Sequence, residues 1–165
     1  MPPRILLVDD EEIVLKGWVK ALRSEGYTLL LARTAREALE VAGREPVDLV
    51  IVDYVLGNTT GVEVLNLIRK KRPLVRSILI SAQIETTINE TELRDLLRDK
   101  VEVDLYIHKP VRNRELREAV SMLLKNKLVD WQTWAQKVKE ARAVKVENGL
   151  EAAGRLKPFL KKKQD

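Results

Sequence analysis

The stretch RILLVDDEE, Arg4 to Glu12, drives a near-continuous apolar run into four consecutive acids. An apolar run without polar alternation is what a strand covered on both faces looks like. Four further runs of the same kind follow: YTLLLA, DLVIVD, RSILIS and DLYIH. Between them, apolar residues recur at helical spacing. Ile13, Val14, Val19 and Leu22 mark a first helix, stopped near Gly26. Ala35, Ala38, Leu39 and Ala42 mark a second, ending near Gly43 and Pro46. Val62, Val64, Leu65 and Ile68 mark a third, closed by Pro73. Leu93, Leu96 and Leu97 mark a fourth, and Leu116, Val120, Leu123 and Leu124 a fifth. Five strand–helix repeats predict an α/β domain with a parallel sheet wrapped on both faces.

Composition removes several function classes. The 165 residues contain no cysteine, which excludes disulfides, thiolate metal sites and thiol catalysis. One histidine, His108, cannot form a histidine-rich zinc cluster. The opening residues are too short an apolar run for a signal peptide or a membrane span, so a cytoplasmic protein is expected. The net charge of +5 is uneven. From Lys125 onward there are eleven Lys/Arg against five Asp/Glu, whereas the preceding residues are nearly balanced. Any affinity for polyanions therefore belongs to the tail.

Sites in doubly wound sheets gather at the carboxyl ends of the strands. Asp9 and Asp10 end the first strand, Asp53 the third, Ser81 the fourth and Lys109-Pro110 the fifth. Each has an ordinary explanation taken singly. Asp9 or Asp10 suits a helix N-cap, Asp53 a turn and Ser81 another cap. Lys109 reads as a solvated lysine and Pro110 as a helix-start proline. Taken together, three carboxylates on one edge repel each other unless a cation neutralises them. Oxygen ligands alone suit a hard ion, Mg²⁺ above all. Lys109 adds positive charge and Ser81 a hydroxyl donor, which equips the edge to receive a phosphoryl group. Asp53, apart from the acid pair, is the natural nucleophile for an aspartyl-phosphate.

The segments LLVDDE, DLVIVDYVLGNTTG, ILISA and DLYIHKP together resemble the receiver domain of two-component response regulators, over roughly residues 3–127. The resemblance implies a flavodoxin-like (βα)5 fold with strand order 2-1-3-4-5. It makes Asp53 the acceptor of a phosphoryl group from a sensor histidine kinase or phosphotransfer protein. Asp10 then ligates Mg²⁺ directly, Asp9 acts mainly through water, and the Val55 carbonyl supplies a further ligand. Lys109 pairs with phosphoryl oxygens, ahead of a cis bond to Pro110. Ser81 and Tyr106 form a switch, the hydroxyl moving toward phosphate and the ring swinging inward, with the small Ala82 leaving room. For Tyr106 the plain alternative is an ordinary strand aromatic. On this resemblance the chain is a phosphoacceptor rather than an enzyme, supporting its own phosphorylation and slow autodephosphorylation.

Three features depart from the family pattern. Gly57 stands where a proline is usual, which predicts a more mobile loop. The interval from Ser81 to Lys109 is long, with the surplus in QIETTINETELRD, expected as an extended loop or helix. DKVEVD replaces the usual small residues before the fifth strand. Residues 128–165 read as a basic helical extension. Leu128, Trp131, Ala135 and Val138 form one apolar stripe, and a break at Asn148-Gly149 precedes a short second helix before Pro158. This stripe suits packing on the receiver, on a second copy as a homodimer, or on a partner helix. A solvated continuation of the fifth helix is the plain alternative. The tail is too short for a usual DNA-binding domain, and nucleic-acid or membrane contact is the weakest reading.

Two other functions compete. A receiver-like scaffold that ignores phosphate would be expected to lack pocket residues, and all five are present. A phosphohydrolase of the haloacid-dehalogenase type needs a second Asp two positions after its nucleophile, where this chain has Val55. Neither GxGxxG nor GxxxxGK[ST] occurs, so nucleotide binding lacks support.

Overall fold

The computed structural model describes residues 1–82, 103–125 and 156–158, the last three by backbone alone. Five strands, β1 (Arg4–Val8), β2 (Thr28–Ala32), β3 (Leu49–Asp53), β4 (Arg76–Ser81) and β5 (Leu105–His108), are parallel in the order β2-β1-β3-β4-β5. That is the expected flavodoxin-like arrangement.

The unbroken apolar runs are explained by alternation. Successive strand residues face opposite sides of a sheet, so each run feeds two cores. Ile5, Leu7, Leu49, Ile51, Ile78, Ile80, Leu105 and Ile107 point to one side. There they meet α1 (Glu12–Leu22) and α4 (Asn113–Leu124), through Leu15, Trp18 and Leu22 of the first and Leu116, Val120 and Leu123 of the second. Leu6, Val8, Val50, Val52, Leu79 and Tyr106 point to the other side, against α2 (Ala35–Arg44) and α3 (Gly61–Lys71).

Local chemistry starts two of the helices. Thr60 accepts a hydrogen bond from the Glu63 amide while the Glu63 carboxylate reaches back to the Thr60 amide, closing a capping box at α3. Thr34 caps α2 through the Glu37 amide at 3.1 Å. No Asp caps α1. Its N-cap is Glu11, which makes no side-chain capping bond, and this leaves the Asp9–Asp10 pair for other work.

The tail departs from expectation. Leu156–Pro158 is a strand, β6, pairing antiparallel with β5, and not the end of a second helix. The physical reason lies in the sequence: proline lacks an N–H and disfavours helical backbone in the residue before it. The helical stripe through Trp131, the fourth helix around Leu93 and the extended segment after Ser81 fall outside the described residues. So does most of DKVEVD, of which Val103 and Asp104 are described. Among the described residues no helix is long and apolar enough to cross a membrane.

Asp104 pins the amino ends of β4 and β5, opposite the acid edge. Its carboxylate accepts from the Ser77 amide at 2.8 Å and from Arg69 at 3.2 Å, and pairs with Arg76 at 3.3 Å. Asp104 and Arg69 are mostly shielded from solvent, so removing the carboxylate takes away the guanidinium's counter-charge, though not its bond to the Ser77 hydroxyl, and leaves the Ser77 amide without this acceptor. Asp104→Ala is expected to cost about 2–4 kcal/mol in urea unfolding. A loss below about 0.5 kcal/mol, the range of a neutral surface change, contradicts this role.

Candidate phosphoryl-acceptor site

Strand register assembles the site. Val8 pairs with Val52 across β1 and β3, so Asp9 lies level with Asp53. Asp53 pairs with Ile80, and Ser81 with His108, which brings Ser81 and Lys109 to the same carboxyl edge. The strand order reverses between β1 and β3, and their ends carry the acids.

The three carboxylates come together as expected. Oxygens of Asp9, Asp10 and Asp53 lie within 4.8 Å of one another. Asp9 is wholly buried, Asp53 nearly so, and Asp10 is exposed. Each oxygen of Asp9 has a partner: Oδ1 accepts the Glu11 amide at 2.8 Å and Oδ2 takes Lys109 Nζ at 3.0 Å. The same ammonium lies 3.3 Å from Asp53 Oδ1. Lys109 is thus no solvated surface lysine. It bridges two acids from two strands, and its bond to Pro110 is cis as expected.

Three carboxylates against one ammonium leave a formal local charge of −2. Burial pushes the pKa of Asp53 up to about 6, with Asp9 and Asp10 adding to the rise against the lowering pull of Lys109. Burial acts on Lys109 in the opposite sense, pulling its pKa down. The Asp9 hydrogen bond and the charges of Asp53 and Asp9 outweigh that pull and hold the lysine above its ordinary value. A donor set made only of oxygens, two charges short of neutrality, fits a hard divalent ion such as Mg²⁺.

The Tyr54 carbonyl accepts the Gly61 amide at 2.7 Å, and peptide groups alternate along the hairpin. The carbonyl of Val55 therefore turns away from the opposite strand of the short ladder Val55–Leu56 with Thr59–Thr60. Gly57 closes this ladder at φ +60°, a value proline cannot adopt, so the departure from the family pattern makes a tight hairpin.

Ser81 is buried beneath the acids, and Ala82 follows it at the exposed rim. Tyr106 is fully buried, its hydroxyl 3.5 Å from the Ser81 carbonyl and its ring edge-on to His108 at 4.9 Å. The ring therefore stands in its inward position.

Arg33 escaped the sequence reading, and so did the physical reason for a glycine at position 61. A Cβ built on Gly61 would overlap the carbonyl oxygen of Asp53, so only glycine lets α3 start this close to the acceptor strand. Arg33 donates to the Asp10 carbonyl at 3.2 Å and places a cation beside the acid pair. The TTGVE pattern carried a hint of the helix start through its capping box. Nothing local in the sequence marks Arg33.

The raised pKa of Asp53 makes a stability prediction for the metal-free protein. Between about pH 4 and 6 the folded state holds a proton that the unfolded state has released, so stability falls as pH rises through that window. In EDTA at pH 7.5, Asp53→Asn is therefore expected to be more stable than the parent by on the order of 2 kcal/mol. The gap should close below about pH 4. Equal urea midpoints at both pH values would contradict the assignment of Asp53 as an acid held against its charge.

Comparison with known proteins gives the same picture. The sequence matches the response regulator receiver domain family over residues 5–121. It is 30% identical over 125 residues to the alkaline phosphatase synthesis transcriptional regulatory protein PhoP of Bacillus subtilis, covering 76% of this chain and 50% of that protein. It is 33% identical over 125 residues to the regulatory protein VanR of Enterococcus faecium, covering 76% and 51%. The chain thus spans about half the length of these relatives. The crystal structure of a signal receiver domain of an HD domain-containing protein from Pseudomonas fluorescens Pf-5 superposes with a TM-score of 0.67. That match is at 30% identity and covers 76% of this chain and 96% of the other. With the acid cluster, its lysine and the strand order all in place, the chain belongs to the response regulator receiver domain family.

Proposed function

We propose that this chain is a phosphorylation-dependent signalling receiver of a two-component or phosphorelay system. In this reading an Asp53 carboxylate oxygen attacks the phosphorus of a phosphohistidine on a sensor kinase or phosphotransfer protein. The P–N bond breaks with its electron pair passing to the imidazole, and an acyl phosphate forms on Asp53. The observation that carries this is the Lys109 ammonium, within 3.3 Å of Asp53 and 3.0 Å of Asp9. That cation, fixed by two acids, is poised to shift onto phosphoryl oxygens as they arrive.

Asp10, Asp53 and the Val55 carbonyl would hold Mg²⁺, with Asp9 contributing through water. When bound, the ion supplies positive charge against the incoming phosphoryl oxygens. Ser81 donates its hydroxyl to one of those oxygens, and Tyr106 packs inward behind it, with Ala82 leaving space. Attack by water on the acyl phosphate returns the receiver to its resting state, so the chain is an acceptor with a slow self-clearing reaction and not an enzyme acting on a separate substrate. The cytoplasm is the compartment this reading assigns. Residues 3–127 form the receiver, and 128–165 an appendage for self-association or a partner helix, without a DNA- or membrane-binding role.

A phosphate-independent scaffold gains nothing from burying Asp9 and raising Asp53, both of which work against the fold. The phosphohydrolase alternative lacks a general acid, since Val55 has no carboxyl. The test is labelling with a small phosphodonor in the presence of Mg²⁺. The parent chain should incorporate phosphate and Asp53→Asn should incorporate none. Equal labelling of the two proteins would overturn the reading.

A further inference from the structure

The outer edge of β5 is not bare. Strand β6 lies along it, with Ile107, Tyr106 and Leu105 opposite Leu156, Lys157 and Pro158. The bonding sense of this pair can be worked out. Lys109 donates its amide to the Ser81 carbonyl at 3.0 Å, toward β4. Peptide groups alternate along a strand, so Ile107 also faces β4, while the N–H and C=O of Tyr106 face outward to β6. Tyr106 and Lys157 are therefore the pair that exchanges two backbone hydrogen bonds.

The same alternation turns the nitrogen of Pro158 away from β5. Its missing N–H costs nothing inside the ladder and leaves no donor there for a further strand. Lys157 beside it adds a charge, and lysine and proline are the residues that protect a sheet edge from pairing with another chain. Leu-Lys-Pro is thus suited to being the last strand of this sheet.

We propose that the outer edge of β5 is a strand-docking surface whose resident occupant is this chain's own Leu156–Pro158, held through the Tyr106 peptide group, and that docking and the inward Tyr106 ring favour each other. The coupling, though not the docking, rests on the receiver function proposed above. Its cause is local. Tyr106 is already extended through its pairing with β4; the second ladder engages its outward N–H and C=O and narrows the backbone angles further, and backbone angles decide which side-chain rotamers are open. The proposed sign is the one suggested by the docked strand and the buried ring standing together here. By linkage, phosphorylation that draws the ring inward tightens the strand, and loss of the strand weakens the inward state.

Hydrogen exchange of the Tyr106 amide in the full chain, followed by NMR, tests both parts. Lys157→Pro removes the donor at the paired position, whereas Lys157→Ala keeps it. The amide should be protected in the parent and in Lys157→Ala, and exchange at least about tenfold faster in Lys157→Pro. Equal rates in all three overturn the docking. Protection that grows with protein concentration assigns the strand to a second copy and overturns docking within one chain. Beryllofluoride with Mg²⁺ should then slow Tyr106 exchange in the parent and not in Lys157→Pro. If the amides of Asp53 and Lys109 respond while that of Tyr106 does not, the coupling is wrong. If the pocket amides do not respond at all, the receiver function falls and takes the coupling with it, while the first comparison still decides the docking.

Discussion

Much of this molecule is organised around one ammonium group. Lys109 is held by Asp9 on one side and approaches Asp53 on the other. Without it, two buried carboxylates from adjacent strands would face each other across a few ångströms of poorly solvated space. At an effective dielectric near 20, such a pair at 4 Å repels by about 4 kcal/mol. This is comparable to much of a small domain's net stability. The lysine offsets that repulsion, and it is burial of the carboxylate, with the neighbouring acids adding less, that keeps the pKa of Asp53 raised.

The fold accepts this cost in one place and keeps the rest of the structure regular. Among the described residues, alternating strand residues fill two aliphatic cores, four helices cover both faces, and Asp104 ties down the amino ends of β4 and β5. The unfavourable charge is confined to the carboxyl edge, where it can be relieved by an ion or altered by a phosphoryl group. Gly61 serves the same edge from below. By allowing α3 to begin against the Asp53 carbonyl, it lets the hairpin fold back beside Asp53.

Most of this was legible in the sequence because it follows from periodicity and from the ends of apolar runs. Each of the five strands was readable as an apolar stretch, and four of them ended on polar residues that register then brought to one edge. The cation bridging Asp9 and Asp53 was less visible, since a lysine after a strand has no sequence mark of burial. The Asp104 network was invisible for a related reason: its partners lie far apart in the chain and meet only through topology. Gly57 was noted only for the missing proline, and the hairpin that its positive φ closes was not foreseen. The strand at Leu156–Pro158 was taken for helix although Lys-Pro argued against it, because the basic, leucine-bearing surroundings have helical spacing.

The central claim is that the acid edge is an incomplete charge set awaiting a divalent cation. NMR titration of the metal-free chain with Mg²⁺, alongside Asp10→Asn, tests this most directly. Saturable shifts are expected at the amides of Asp9, Asp10, Asp53 and Val55, with affinity strongly reduced in the variant. No saturable shift at these positions, or equal affinity in both proteins, would contradict it.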